Sequence, residues 1–227
     1  MKLFKKENFL IVSFFFIIIT SLLGGCNVDV SVDKEATTKA KNTNEQKLLD
    51  SRAMKDDFAS QFLSVNPKEK DYLTFTSGTK GYKMLFHKDS IISNTLYEVH
   101  NKSFENVVSY LKYPKGNLMI EQETTYYDYS VGEDLDFLLS EIEQFVDRKN
   151  IKQYENKEYE YYIANLLKKE DGINYNYFYA VIHSKKINTK SISLTGYARC
   201  INMKKSCDVE DKKIEKYFNK IIRSFEF

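Results

Sequence analysis

The sequence has few of the residues that mark metal sites, redox centres and hinges. It holds three cysteines, three histidines, two prolines and eight glycines in 227 residues. The histidines, His87, His100 and His183, are far apart and never show the H-E-x-x-H spacing that puts two zinc ligands on one helix face. A metal site would need them to converge in space with carboxylates. We expect scattered surface or half-buried histidines instead, and assign no metal ligand.

Sequence motifs of known catalytic sites are missing as well. Cys200 and Cys207 are separated by six residues, whereas thioredoxin-like centres place two residues between their cysteines. The chain has no Walker-type phosphate loop and no G-x-S-x-G turn. Residues 77–80, S-G-T-K, match the S-x-x-K motif of penicillin-binding proteins, but the S-D-N-like and K-T-G-like elements that this chemistry requires are absent. We interpret the segment as a hairpin turn and assign no catalytic residue.

The chain also lacks an excess of charge of one sign. Its formal net charge is +2, and residues 1–25 hold three lysines and one glutamate, which leaves 31 basic and 31 acidic residues in the remainder. A balanced chain offers no basic face of the kind that neutralises nucleic-acid phosphates. We therefore expect no nucleic-acid partner.

The amino terminus predicts export. A basic run at residues 1–6 is followed by 15 residues, 9–23, that are apolar except for two serines and a threonine. This stretch is shorter than the roughly 20 residues of a membrane-spanning helix. A basic start, a short apolar stretch and then small residues are typical of a secretory signal. We predict a signal peptide over residues 1–25; the alternative is an uncleaved signal anchor.

Leu23, Gly24, Gly25 and Cys26 form a tetrapeptide that resembles the lipobox of bacterial lipoproteins. The resemblance implies that Cys26 carries covalent diacylglyceryl and N-acyl lipid and that a peptidase cuts just before it. Two or more acyl chains on one residue give stable anchoring, whereas one chain gives marginal binding. We expect a protein anchored on the outer face of the cytoplasmic membrane, with no cofactor apart from this lipid.

The rest of the chain divides into a linker and one domain. Residues 26–46 are polar apart from a few valines, so they cannot bury enough surface to offset their ordering entropy. We predict a flexible linker there. Residues 47–227 contain no internal repeat and no segment rich in proline or glycine, and we predict a single domain.

Hydrophobic periodicity predicts an α+β domain, an antiparallel β-sheet flanked by helices. Apolar residues recur at helical spacing over residues 47–62 and, most clearly, over 133–149. A last helix is predicted to start at Asp208, with Asp211 three residues further on. Runs typical of β-strands cover residues 72–76, 82–86, 104–113, 118–129, 154–167, 175–183 and 191–201.

Cys200 and Cys207 lie between the last predicted strand and the last predicted helix. An even pair of cysteines in an exported domain predicts a disulfide. The alternative is two free thiols, because many bacteria with a single membrane use few disulfides.

Two resemblances concern the domain. Residues 81–86, G-Y-K-M-L-F, and 221–227, I-I-R-S-F-E-F, are similar to the two ends of PsbP/Mog1-type domains. This likeness implies an α/β/α sandwich that serves as a binding or assembly module without a shared catalytic site. The lipobox cysteine, the strand at 81–86, the tyrosine-rich strand at 175–179 and the pair Cys200 and Cys207 resemble the YvcA-like lipoproteins of Bacillus-type bacteria. That resemblance implies a cell-surface lipoprotein, with some members tied to multicellular or colony behaviour, and no known biochemical activity.

Tyrosine is the abundant residue that bears on function, with 17 copies. Side chains two residues apart on a strand share a face, and we predict one tyrosine-lined sheet face. Tyrosine offers a large contact area at little entropic cost, so this face is a candidate binding surface. The alternative is that helices cover the face and the tyrosines are packing residues. The residues concerned are Tyr159, Tyr161, Tyr175, Tyr177 and Tyr179.

These observations lead to an expected function. We expect a non-enzymatic surface lipoprotein whose domain binds an unknown protein or envelope component, in addition to the membrane contact made by the lipid. The alternatives are an envelope hydrolase or metal-dependent enzyme without a recognisable motif, and an accessory subunit that stabilises a membrane complex.

Overall fold

The computed structural model of the protein describes residues 43–113, 117–202, 205, 207–210 and 212–227. The predicted signal peptide, the lipobox with Cys26 and most of the predicted linker lie outside these residues. Within the described ranges, no helix is both long enough and apolar enough to cross a membrane.

The described residues form short helices and eleven strands. The helices are α1 (residues 43–49), α2 (Arg52–Lys55), α3 (Ser130–Glu133), α4 (Leu135–Glu143) and α5 (Lys212–Ile222), with 3₁₀ turns at Ala59–Phe62 and Arg148–Asn150. The strands are β1 (Leu63–Val65), β2 (Tyr72–Thr76), β3 (Lys83–His87), β4 (Ser90–Ile92), β5 (Glu98–His100), β6 (Phe104–Lys112), β7 (Leu118–Asp128), β8 (Lys152–Glu155), β9 (Tyr159–Glu170), β10 (Ile173–Ser184) and β11 (Lys190–Cys200).

The strands build two antiparallel sheets. The small sheet has the order β1-β2-β3, and the large sheet has the order β4-β6-β7-β11-β10-β9-β8, with β5 paired to β6. Helices pack on both faces of the large sheet, which confirms the predicted α+β class. Since successive side chains of a strand point to opposite faces, the register of each pair decides which residues each helix covers.

One face of the large sheet, called the α5 face here, is sealed. Phe178 and Ile182 of β10 are buried there together with Phe75 of the small sheet. The ring of Phe178 stacks on that of Phe218 in α5, with 4.2 Å between centroids. Gly196 of β11 allows this approach, because a Cβ at that position would lie 2.3 Å from the Phe218 ring.

The opposite face, called the α4 face, is covered only in part. Leu138 and Ile142 of α4 form a second buried cluster with Val181 of β10. The strands of the large sheet have up to 12 residues, whereas α4 has nine. Because a strand rises about 3.3 Å per residue and a helix about 1.5 Å, the sheet extends well beyond the helix. Side chains of the sheet that lie past the end of α4, such as Tyr177, are therefore half-exposed.

The prediction of one continuous helix over residues 47–62 is wrong. Helical residues begin at 43, within the predicted linker, and Asn44 donates a hydrogen bond to the carbonyl of Glu69. The chain then breaks into α2 and a 3₁₀ turn. Asp56 explains the second break, because its carboxylate accepts the backbone N–H groups of Phe58 and Ala59 at 3.2 and 2.8 Å. Such local bonds compete with the helical ladder.

The helix predicted over residues 133–149 is also divided. Asp134 caps α4 by accepting the N–H of Phe137 at 2.9 Å, so α3 ends before it and α4 begins after it. The strand predicted over 154–167 splits into β8 and β9 for a related reason. The Asn156 side chain accepts the N–H groups of Glu158 and Tyr159 at 2.7 Å each and forms the turn between the two strands.

The last helix begins at Lys212 and not at Asp208. The Asp208 carboxylate accepts the N–H of Glu210 at 2.8 Å and so forms a turn before the helix. Asp211 lies outside the described residues. The other predicted strands agree with the structure to within two residues at each end.

Candidate functional site

The five tyrosines that were predicted to share a sheet face do not share one. Glu170 of β9 pairs with Ile173 of β10 across their turn, so odd-numbered residues of one strand lie opposite even-numbered residues of the other. Tyr161 therefore pairs with Ile182 on the α5 face, where it is buried. Tyr159 lies on the same α5 face. The prediction is wrong for these two residues.

The three tyrosines of β10 do share the α4 face. The rings of Tyr175 and Tyr177 stack with 5.5 Å between centroids and 18° between planes, and those of Tyr177 and Tyr179 with 6.2 Å and 13°. Phe145, which follows α4, extends the stack onto Tyr179 at 5.2 Å and 9°. Tyr197 of β11 contacts both Tyr175 and Tyr177. These five residues are called the tyrosine face below.

Carboxylates accept hydrogen bonds from two of the four hydroxyls of the tyrosine face. Tyr197 donates to Glu121 at 2.6 Å, and Tyr177 donates to Glu170 at 3.2 Å. Burial, together with the bond to Glu170, raises the pKa of Tyr177 to about 12. The Tyr177 phenol is therefore a neutral donor at physiological pH. Stacking and hydrogen bonding fix the rings before any ligand arrives, which lowers the entropic cost of binding.

A cleft adjoins the tyrosine face at the carboxyl end of α4. It has a volume of about 400 Å³, between α4 and strands β6, β7 and β11. The carboxylates of Glu123 and Glu141 line it, and among the described residues its lining contains no lysine, arginine or histidine. Burial and the nearby charge of Glu123 raise the pKa of Glu141. The lining also includes Phe104, Asn106, Thr125, Tyr127, Ile142, Gln144, Phe145, Tyr179, Ser193 and Thr195.

A larger cavity of about 550 Å³ lies on the α5 side, between α5 and strands β8 to β10. Its lining mixes charges of both signs, with Lys152 and Arg223 beside Glu215. Two of its four amides are already hydrogen-bonded, because Asn165 donates to Asn176 and Asn176 donates to the carbonyl of Val209 at 2.8 Å. No single ligand charge is favoured by such a lining.

The three histidines have separate environments. His87 is half-buried, and burial lowers its pKa. His100 is exposed and lies 2.6 Å from Glu98. His183 is buried between Ser191 and Asn188, at 2.9 and 3.1 Å. In the described part of the chain, no group of three or more histidine, cysteine or acidic side chains could hold a metal ion.

Cys200 and Cys207 form the predicted disulfide, with 6.0 Å between their Cα atoms. It connects the end of β11 to the segment before α5. The bond therefore ties the helix that seals the α5 face to the central part of the large sheet.

The S-G-T-K segment is a hairpin turn between β2 and β3, as predicted. It also contacts Glu105 of β6, a fully buried carboxylate that the sequence analysis missed. Glu105 accepts the N–H of Gly78 at 2.8 Å and the hydroxyl of Tyr97 at 2.9 Å. Burial raises the pKa of Glu105 in spite of these bonds. The contact attaches the small sheet to the large one.

Comparison with known proteins gives a family. The family model described as "Putative lipoprotein YvcA" matches residues 49–226. The protein named "Putative lipoprotein YvcA" from Bacillus subtilis (strain 168) is 24% identical over 228 residues, which cover 93% of this chain and 94% of that protein.

A crystal structure of a Bacteroides thetaiotaomicron protein also matches, with 13% identity and a TM-score of 0.39. The match covers 67% of this chain and 47% of that one. A likeness at this level supports no argument about fold or function.

Proposed function

Because the chain belongs to the family described as "Putative lipoprotein YvcA", we propose that it is a membrane-anchored lipoprotein whose domain binds a protein component of the cell envelope. The domain binds through the tyrosine face and is not an enzyme. Lipid on Cys26 holds it on the outer face of the cytoplasmic membrane. The observation that carries this proposal is the stacked pair Tyr175 and Tyr177, which is half-exposed on the α4 face and continues the stack of the buried Tyr179.

The physical properties of the tyrosine face favour protein recognition. Tyrosine is enriched among the few residues that dominate the binding energy of protein interfaces, and a tyrosine fixed by its neighbours loses little entropy on binding. The hydroxyls of Tyr177 and Tyr197 are bonded to carboxylates, so the rings present their edges and faces in one arrangement. Burial of this face by a partner would remove apolar surface from water without rearranging the sheet.

Site-specific photo-cross-linking in cells tests the proposal. A benzophenone amino acid replaces Tyr177 in the full-length protein, and adducts are recovered with an antibody to the protein. Phe137 of α4, with 46% of its surface exposed, is the control position because it is an exposed aromatic outside the tyrosine face. We expect one defined adduct from Tyr177 and none from Phe137. Equal adduct patterns from both positions, or no adduct from Tyr177, would contradict the proposal.

The anchor needs a separate test. Cells fed an alkyne analogue of palmitate should label the wild-type protein, and Cys26→Ala should abolish the label because the acceptor sulfur and the cleavage site are both lost. Cys200→Ala is the matched control and should keep the label. Label on Cys26→Ala would place the lipid elsewhere.

A further inference from the structure

The cleft beside α4 combines aromatic walls with carboxylates. Tyr127 and Phe145 supply rings, and Glu123 and Glu141 supply the charges of the described lining. Tyr179 also lines the cleft, but its ring is stacked between Phe145 and Tyr177 and offers no free face. An aromatic ring attracts a cation over its face through its quadrupole, and sets of such rings recognise ammonium groups. Both parts of the cleft therefore favour a positively charged group.

Neighbouring strands fix one of the two carboxylates. The Asn106 amide nitrogen donates to Glu123 Oε1 at 3.0 Å, and the Asn106 amide oxygen accepts from the Thr125 hydroxyl at 3.0 Å. This chain of bonds orients the Glu123 carboxylate, and its Oε2 accepts no hydrogen bond from the described residues. An oriented acceptor that faces a cleft is suited to a ligand that donates.

The second carboxylate increases the negative potential of the cleft. Glu141 lies on α4, across the cleft from β7, and the charge of Glu123 contributes to its raised pKa. Burial raises the pKa of Tyr127 to about 12, and the charges of Glu141 and Glu123 add to the rise. Glu141 is half-buried and Glu123 is exposed; like charges that line one cleft repel each other, and a cation between them would relieve the repulsion.

The oxygen atoms that line the cleft favour some cations over others. A divalent metal needs about six oxygen ligands, and the cleft offers two carboxylates without a third acidic, histidine or cysteine ligand among the described residues. A primary ammonium group has three N–H donors, and the lining of the cleft includes the acceptor-bearing side chains of Glu123, Glu141 and Thr195. A quaternary ammonium group has no donor and would leave these acceptors unused.

We propose that the cleft binds the ammonium group of a lysine side chain that a protein partner presents when it docks on the tyrosine face. Phe145 belongs to both sites, since it lines the cleft and stacks on Tyr179. The volume of about 400 Å³ lies within the usual range for ligand sites and admits a lysine side chain. This inference rests on the proposed function and adds the chemistry that the partner must carry.

A ligand titration tests the inference. Full-length protein in detergent is titrated with Nα-acetyl-lysine methylamide, and binding is followed by saturation-transfer NMR. The double variant Glu123→Gln with Glu141→Gln should weaken binding by about tenfold or more, because charge-assisted hydrogen bonds are lost. Glu133→Gln removes one charge from exposed α3 and should leave the affinity unchanged. Thermal unfolding of each variant checks that it is folded.

Two analogues identify the recognised group. Nα-acetyl-norleucine methylamide has the same four-carbon side chain without the ammonium group and should not bind. Choline should bind more weakly than the lysine derivative. Equal binding of the lysine derivative to wild type and to the double variant, or equal binding of choline, would overturn the inference. The Tyr177 adduct separates this inference from the proposed function. If the adduct forms equally in the double variant, the tyrosine face binds its partner without the cleft.

Discussion

Both faces of the large sheet carry stacked aromatic residues, but they use them in different ways. On the α5 face, Phe178 stacks on Phe218 beneath a helix, and both rings are buried. On the α4 face, Tyr177 and Phe145 each stack on Tyr179, at 6.2 and 5.2 Å, but remain accessible, and 57% of the Phe145 surface is exposed. Stacking alone therefore does not distinguish a core from a binding surface. The extent of the covering layer decides how much of each face reaches solvent: α5 and the small sheet together bury one face, whereas the nine-residue α4 buries only part of the other.

Replacing an aromatic ring with alanine should give the largest difference in stability between the two faces. Phe218→Ala should lower the free energy of unfolding by about 3–5 kcal/mol, because it leaves a cavity in a sealed core. Phe145→Ala removes a ring of equal size from the α4 face and should cost about 1 kcal/mol or less, as is usual for exposed positions. Urea denaturation of both variants measures the difference. Equal losses would show that the α4 face is also core.

The disulfide should make the second-largest contribution to the stability of the sealed α5 face. Replacing both Cys200 and Cys207 with serine should lower the free energy of unfolding by about 2.5 kcal/mol, the chain-entropy value for so short a loop. Denaturation under oxidising conditions measures this loss. A reducing agent should destabilise the wild-type protein by a similar amount and leave the double variant unchanged; an unchanged wild type would show that the bond does not constrain the unfolded chain.

The buried carboxylate of Glu105 should make the sealed side sensitive to pH. Its pKa is raised in the folded protein by burial, so the folded chain keeps this proton to a higher pH than the unfolded chain. Stability should therefore fall as the pH rises from the ordinary value of 4.5 through the raised pKa, and then level off. Glu105→Gln should remove this component. Unfolding curves of both proteins across this pH range test the sign, and a wild-type profile that matches the variant would refute it.

The smallest effect on stability is expected at the tyrosine face. Tyr177→Phe keeps the stacked ring and loses the bond to Glu170, and should change the free energy of unfolding by about 1 kcal/mol or less. Tyr177→Ser should cost little more while abolishing partner capture. Thermal unfolding and cross-linking at Tyr197 measure the two quantities on the same variants. A large loss of stability without loss of capture would reverse the roles assigned to the faces.

Hydrophobic periodicity was sufficient to predict the long helices and strands. It was insufficient to predict the register in which the strands pair. The strand around Tyr175 to Tyr179 and the disulfide were predictable, because both depend on nearby residues. The split of the tyrosines between faces was not, since it depends on the turn at Asp171 and Gly172, which sets the register of β9 against β10. The capping side chains of Asp56, Asp134 and Asn156 were visible in the sequence, and their local hydrogen bonds overrode the hydrophobic pattern.

Other parts of the site required the tertiary structure. Tyr197 belongs to the tyrosine face only because the β10–β11 register places it opposite Tyr177. In the sequence, nothing distinguishes Glu105 from other strand residues, because its contact with the β2–β3 turn depends on the tertiary structure. Strands of three residues, such as β1 and β4, are too short to show a period of two.

A comparison of cross-linking from the two faces tests the central claim most directly. The benzophenone amino acid is placed at Tyr177 on the α4 face or at Tyr154 on β8, a tyrosine with 48% exposure that lines the cavity on the α5 side. We expect a defined protein adduct from Tyr177, its loss in Tyr175→Ser, and no such adduct from Tyr154. An adduct from Tyr154 with none from Tyr177 would contradict this expectation and assign binding to the α5 side.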